Sequence, residues 1–373
     1  MNGTQKLLEA GQSVWYDNIQ RKLLLNGEMA RMINQGEIRG VTSNPTIFMN
    51  AIAKSNDYDA SLLPLAQAGK SAEEIYTQMA IEDIQATADL FMPLYQQSGG
   101  GDGYVSLEVS PYLAKDTAET VAEAKRLWQR VNRLNLMVKI PATKAGLPAI
   151  AEAIAEGINI NVTLIFSRER YAEVADAYMT GLERRLSKGL QIEQIASVAS
   201  LFVSRMDTKV DAQLQAIIQG KGDPAASVET LMGKAAIANT CLTYADFQAI
   251  FSSERALKLI ARGGRLQRPL WASTSTKNPN YRDVMYVEEL AAPHTVNTVP
   301  PQTLVAFLDH GMVRPGAREE NLATAHQSLG GLEALGISMA VVTQQLEDEA
   351  VKSFSDAYTA LLASVEERRT NAA

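Results

Sequence analysis

Eight short apolar or β-branched runs recur along this chain, and helical patterns separate them. The runs are Ser13–Tyr16, Gly40–Ser43, Tyr104–Val109, Leu136–Pro141, Ile160–Phe166, Ala196–Val203, Pro269–Ser273 and His294–Val299. Between them, Thr117–Arg130 places Val121, Ala124, Leu127 and Trp128 on one helical stripe. Leu147–Glu156 and Arg168–Leu186 repeat that pattern. Strands that alternate with helices pair in parallel, because a tight hairpin cannot join parallel neighbours. Eight such units predict an α/β fold of one kind, a closed (β/α)8 TIM barrel. No glycine fingerprint follows the first run, which counts against an open dinucleotide-binding sheet.

Two segments exceed the minimal repeat. Residues 51–95 and 206–267 read as helical insertions, and 330–369 reads as a helical extension with a polar end expected to fray. No low-complexity linker or internal repeat divides the 373 residues, so a single domain over 1–373 is expected. The composition, 46% hydrophobic and 21% charged, suits a globular chain with a sizeable core and argues against disorder. Net charge is −7 and no long basic run occurs, which argues against nucleic acid as a partner. A phosphorylated small molecule is compatible with that charge, since a few local cations suffice to hold it. The single cysteine, Cys241, allows no intrachain disulfide and fits a reducing cytoplasm. The amino terminus lacks the apolar core of a signal peptide, and no apolar run is long enough to cross a bilayer, so a cytoplasmic location without membrane contact is expected.

Catalytic groups of a (β/α)8 barrel sit at the carboxyl ends of its strands. Polar side chains collect there in this sequence. Asp17 closes the first run and Asn44 the second; Glu108 lies late in the third and Lys139 in the fourth. Asn161 and Thr163 belong to the fifth, and Ser200 to the sixth, with Arg205 beyond it. Ser273 ends the seventh, with Lys277 four residues on. Each has an ordinary structural use: Asp17 as a helix cap, Asn44 as a turn residue, Thr163 as strand composition, Arg205 as a surface helix residue. Lys139 is the least ordinary, because an ammonium group is costly to bury without a partner. A neutral amine in a pocket is a nucleophile for carbonyl carbon. The three histidines show no metal-ligand spacing, and Asp57 and Asp59 lack the rest of a calcium loop, so no metal is expected.

Three segments, Gly40-Val41-Thr42-Ser43-Asn44-Pro45-Thr46-Ile47-Phe48, Val138-Lys139-Ile140-Pro141-Ala142-Thr143 and Ile160-Asn161-Val162-Thr163-Leu164-Ile165-Phe166-Ser167, resemble the signature segments of transaldolases. The resemblance runs from Asp17 through Lys277 and is closer to the longer bacterial type than to the short fructose-6-phosphate aldolases. It implies roles residue by residue. Lys139 would form the Schiff base and Asp17 would be the general acid/base. Glu108 would work with Thr163 through a bound water. Asn44, Asn161 and Ser200 would hold the dihydroxyacetone unit, Arg205 would bind the substrate phosphate, and Ser273 and Lys277 would complete the substrate-binding set. One departure stands out. The family often has a second arginine soon after the seventh strand, whereas this chain has Lys277, which lacks the bidentate fork; Arg282 is a weaker alternative.

The implied activity is transfer of a dihydroxyacetone unit between sugar phosphates, with no cofactor, in the non-oxidative pentose phosphate pathway. Two rivals stay open at this point. One is a simple Schiff-base aldolase that releases dihydroxyacetone, and the other a catalytically silent barrel that binds sugar phosphates or a protein. The sequence leaves the oligomeric state open, a homo-oligomer included.

Overall fold

The computed structural model describes residues 1–53, 55–220, 228–313 and 317–372, with side chains omitted at 317–320 and 372. Eight parallel strands close into a barrel in chain order, β1 to β8. α1 (Gly3–Glu9) leads into β1 (Gln12–Tyr16), and α2 (Arg21–Leu25) and α3 (Glu28–Asn34) return the chain to β2 (Gly40–Val41). α4 (Pro45–Ala53), α5 (Asp59–Gln67) and α6 (Ala72–Gln97) precede β3 (Tyr104–Glu108). α7 (Thr117–Val131), α8 (Gly146–Ala155) and α9 (Arg168–Ser187) follow β3, β4 (Leu136–Pro141) and β5 (Ile160–Ile165). β6 (Ser197–Phe202) is followed by α10 (Ser204–Gly220), α11 (Ala235–Phe251) and α12 (Glu254–Ala261). β7 (Arg268–Ala272), α13 (Met285–Glu289) and β8 (Thr295–Val299) finish the barrel. α14 (Pro301–His310), α15 (Ala317–Ala334) and α16 (Met339–Ala372) end the chain.

Each expected strand is present within a residue or two of its expected ends. β4 and β5 are buried along their whole length, as strands covered on both faces must be. The turn out of β4 is tight. A Cβ on Gly146 would stand 1.9 Å from the Pro141 carbonyl oxygen, so only glycine fits where the chain leaves the lysine strand. Thr143 fixes the same turn by accepting the Gly146 N–H and donating to the Ala114 carbonyl.

The amino-terminal end of the barrel is plugged by Asp102. Its carboxylate accepts hydrogen bonds from Ser13 Oγ, Trp15 Nε1, Arg39 Nε and Arg268. Burial alone would raise its pKa, but Arg268 and Arg39 outweigh burial and hold it below the usual carboxylate value. A fully paired hub of this kind is structural, and it leaves the opposite mouth for chemistry.

The expectation of a frayed carboxyl end is corrected. α16 runs to Ala372, and near its end Arg368 donates to the carbonyls of Ile52 and Ser55 and pairs with Asp59. These partners lie around α4 and α5, so the last turns of α16 are tied to the first insertion rather than loose in water. Within the second insertion, Gly220-Lys221-Gly222-Asp223-Pro224 reads from sequence as a turn, and 221–224 lie outside the described residues.

Candidate active site

The carboxyl ends of the strands surround a cavity of about 420 Å³. Lys139 enters it from the middle of β4, between the fully buried Val138 and Ile140. Only 5% of Lys139 is exposed. Its Nζ donates to the Ser43 carbonyl at 2.9 Å and lies 3.4 Å from Glu108 Oε2. The strand register produces this meeting, because Glu108 of β3 and Asn161 of β5 stand beside Lys139 on either side. The amine thus has one carbonyl and one carboxylate near it and otherwise faces the cavity.

Burial raises the pKa of Glu108; the Lys139 charge partly offsets this, and Asp17 adds repulsion. Burial also raises the pKa of Asp17, against the pull of Lys139, of the Thr42 hydrogen bond and of Lys277. Thr42 Oγ1 donates to Asp17 Oδ1 at 2.6 Å and also meets Thr298 Oγ1 at 2.6 Å. Two carboxyls whose protons are held above the ordinary carboxylate range, one in contact with the amine and one facing the same cavity, form a proton-handling arrangement. Glu108 Oε2 and Thr163 Oγ1 are buried and make no hydrogen bond. Glu108 Oε2 keeps its ion pair with Lys139, and buried oxygens without a hydrogen bond near a cavity mark where a water or a substrate hydroxyl fits.

Thr163 sits where β5 breaks register, and the next residue, Leu164, has φ +60°. Ser273, at the end of β7, has φ +55°. Two strained non-glycine positions therefore border the site, consistent with local strain that aims side chains. Ser273 Oγ lies 3.0 Å from Ser204 Oγ, joining the ends of β6 and β7.

Arg205, at the start of α10, lies over the Phe202 ring at 5.6 Å. Among the described residues its guanidinium makes no hydrogen bond or ion pair; burial lowers its pKa, and the Glu349 charge opposes that in part. Lys277 Nζ donates to Ser275 Oγ, and its pKa is lowered by burial and then by Arg205. Two cations thus share one side of the cavity against their own repulsion. Around the site two carboxylates, Asp17 and Glu108, face three cations, Lys139, Arg205 and Lys277, which favours an anionic ligand.

The structure gathers Asp17, Asn44, Lys139, Thr163, Ser200, Arg205, Ser273 and Lys277 around this cavity. Asn44 also accepts the Ile47 N–H, so the turn use and the cavity position coexist. Glu108 and Asn161 lie one layer behind. Asn161 is fully buried, donating to Ser106 Oγ and accepting from Ser200 Oγ, so it reaches the cavity through Ser200. Arg282 does not reach it: Arg282 pairs with Glu288 at 2.9 Å and donates to the His310 carbonyl, which corrects it as an alternative phosphate contact. Sequence reasoning assigned no role to Thr42 or Thr298 and did not foresee Phe354, which α16 brings to the cavity wall. Among the described residues no group of three or more His, Cys, Asp or Glu converges as a metal site.

The family model described as transaldolase/fructose-6-phosphate aldolase matches residues 14–365. A transaldolase of Saccharopolyspora erythraea is 47% identical over 98% of this chain and 97% of its own length. A transaldolase of Thermobifida fusca is 48% identical over 96% of each chain, and one of Trichodesmium erythraeum is 45% identical over 98% of each. A match of this extent, on a barrel with a buried lysine at its mouth, places the chain in the transaldolase/fructose-6-phosphate aldolase family.

Proposed function

We propose that the chain is a transaldolase that works through a covalent adduct on Lys139. It moves a dihydroxyacetone unit from a ketose phosphate, such as sedoheptulose 7-phosphate or fructose 6-phosphate, to an aldose phosphate, such as glyceraldehyde 3-phosphate or erythrose 4-phosphate. This is a reaction of the non-oxidative pentose phosphate pathway. The observation that carries the reading is one cavity edged by a buried amine, the Asp17 carboxyl and two cations, with the Glu108 carboxyl behind the amine.

Only a neutral amine is a nucleophile, so Lys139 attacks in its unprotonated form. Neutral Nζ attacks the ketone carbon, and the carbinolamine loses water to give an iminium. Glu108 and Thr163 flank the space for the water that carries those protons, which accounts for oxygens that make no hydrogen bond. Asp17 takes the proton from the hydroxyl next to the breaking bond. The carbon–carbon bond breaks, its electron pair moves into the iminium as an enamine, and the aldehyde departs. An acceptor aldehyde then enters, and the steps run in reverse. General acid/base help of this kind is typically worth about 10²–10⁴ in rate. Asn44 and Ser200 hold the three-carbon unit, with Asn161 orienting the Ser200 hydroxyl from behind, while Arg205, Ser273 and Lys277 receive the phosphate. A wall that limits water keeps the enamine from protonating before the acceptor arrives.

We place the enzyme in the cytoplasm on its single cysteine and its sugar-phosphate chemistry; no helix among the described residues is long and apolar enough to cross a membrane. The test is product formation from fructose 6-phosphate with and without erythrose 4-phosphate. Sustained turnover is expected only with acceptor. Steady release of dihydroxyacetone from donor alone assigns a simple aldolase, and no product under either condition removes the enzymatic reading.

A further inference from the structure

α10 carries more than Arg205. Two residues on, Asp207 is 2% exposed, and a turn later Asp211 is 6% exposed. Neither touches the main cavity, and the chemistry above uses neither. Each carboxylate makes the same pair of contacts. Asp207 accepts the Ala236 N–H at 2.8 Å and the Tyr286 hydroxyl at 2.7 Å. Asp211 accepts the Gly233 N–H at 2.9 Å and the Tyr281 hydroxyl at 2.7 Å. The site at Gly233 is built to fit: its φ is +67°, and a Cβ there would stand 2.7 Å from the Tyr281 ring. Two buried like charges on successive turns of one helix are costly unless their hydrogen bonds offset the cost. Packing alone does not require this arrangement.

What the contacts join gives the reason. Tyr281 and Tyr286 lie in the segment after β7 that also carries Lys277, and Lys277 borders both the main cavity and a smaller one lined by Asp207, Asp211, Tyr281 and Tyr286. Arg205 and Lys277 are like charges at one cavity, and the guanidinium adds to burial in disfavouring the Lys277 ammonium, so without an anion between them repulsion acts on their two segments. Arg205 rests on the Phe202 ring and feels the Glu349 charge, but among the described residues no hydrogen bond or ion pair holds its guanidinium. We propose that Asp207–Tyr286 and Asp211–Tyr281 form a double clamp that locks the start of α10 to the post-β7 segment and thereby pre-sets the spacing of Arg205 and Lys277 for a substrate phosphate. The four residues are positioning residues, since none reaches the reacting atoms. Holding two cations at a fixed spacing before the anion arrives lowers the cost of binding it.

This inference rests on the reading of Arg205 and Lys277 as the phosphate subsite, and the experiment separates the two. Tyr281→Phe and Tyr286→Phe keep both rings and remove only the hydroxyls, singly and together. Three quantities are measured in the full-length enzyme: KM and kcat for fructose 6-phosphate with erythrose 4-phosphate, the competitive inhibition constant of inorganic phosphate, and the rate of borohydride trapping with dihydroxyacetone. Arg205→Ala is the reference. In the double variant KM and the phosphate inhibition constant are expected to rise together by about tenfold, the effect of losing hydrogen bonds to charged groups. kcat and the trapping rate with unphosphorylated dihydroxyacetone are expected to stay within about twofold of wild type. A fall in kcat and trapping with an unchanged phosphate constant would reduce the clamp to ordinary packing and overturn the proposal. If Arg205→Ala raises both constants and the double variant raises neither, the clamp is wrong and the subsite stands. If Arg205→Ala also raises neither, the phosphate subsite itself falls, and the clamp with it.

Discussion

Thr42 shows how a neighbour sets the work of a catalytic carboxyl. Its hydroxyl donates to Asp17, and Thr298 stands on its other side. Thr42→Val keeps the shape and removes the donor. kcat is expected to drop by about 10–100-fold, the range for a hydrogen bond to a charged group, with KM little changed. The pH profile gives a second reading. The Thr42 hydrogen bond lowers the Asp17 pKa against burial, so its loss raises that pKa further. The base form then disappears at higher pH, and the acid limb of kcat/KM should move up. A limb that does not move would separate Asp17 from the rate. Lys139 was legible from its own setting, because a lysine inside an apolar run needs a reason, whereas Asp17 and Arg205 each had an ordinary use and took their roles from the family resemblance. Thr42 stood inside a recognised segment, but its role depends on Asp17 and on Thr298, 256 positions away, and threonine in a strand needs no reason at all.

At the scale of elements, the strands were the most readable part. Their apolar runs and the helical patterns between them are local properties, and parallel closure follows from the alternation. The course of α16 was not readable. It packs on α4, α5, α6 and α10 and touches β5, bringing Phe354 to the cavity and Glu349 to Lys209. That path is fixed by contacts with residues far back in the chain. A polar helix end also looks the same from sequence whether it is anchored or loose. Arg368 supplies the anchor, and Arg368→Ala removes its bonds to Ile52, Ser55 and Asp59. Urea unfolding should show a loss of about 1–3 kcal/mol. Hydrogen exchange should quicken in the last turns of α16 and around α4 and α5. An unchanged midpoint and unchanged exchange would mean the terminal turns do not depend on this anchor.

Across the whole molecule, stability and reactivity occupy opposite ends of one barrel. The Asp102 hub closes the amino-terminal end with every charge paired, while the carboxyl-terminal end holds the Glu108 and Thr163 oxygens without a hydrogen bond and a guanidinium that rests on an aromatic ring. Asp102→Ala strands Arg39 and Arg268 beside a vacated site, and a loss of about 3–5 kcal/mol is expected by chemical denaturation. kcat per folded molecule should be retained. We also propose that barrel, insertions and carboxyl-terminal helices unfold as one unit, so this variant and the wild type should each show a single transition with coincident fluorescence and circular dichroism. The central claim, that Lys139 bonds covalently to the substrate ketone, is tested most directly by borohydride reduction in the presence of fructose 6-phosphate, followed by peptide mass mapping. A three-carbon adduct on the peptide containing Lys139, absent in a folded Lys139→Met variant that has also lost turnover, is the predicted result. An adduct on another lysine, or turnover with no adduct at all, would contradict the account.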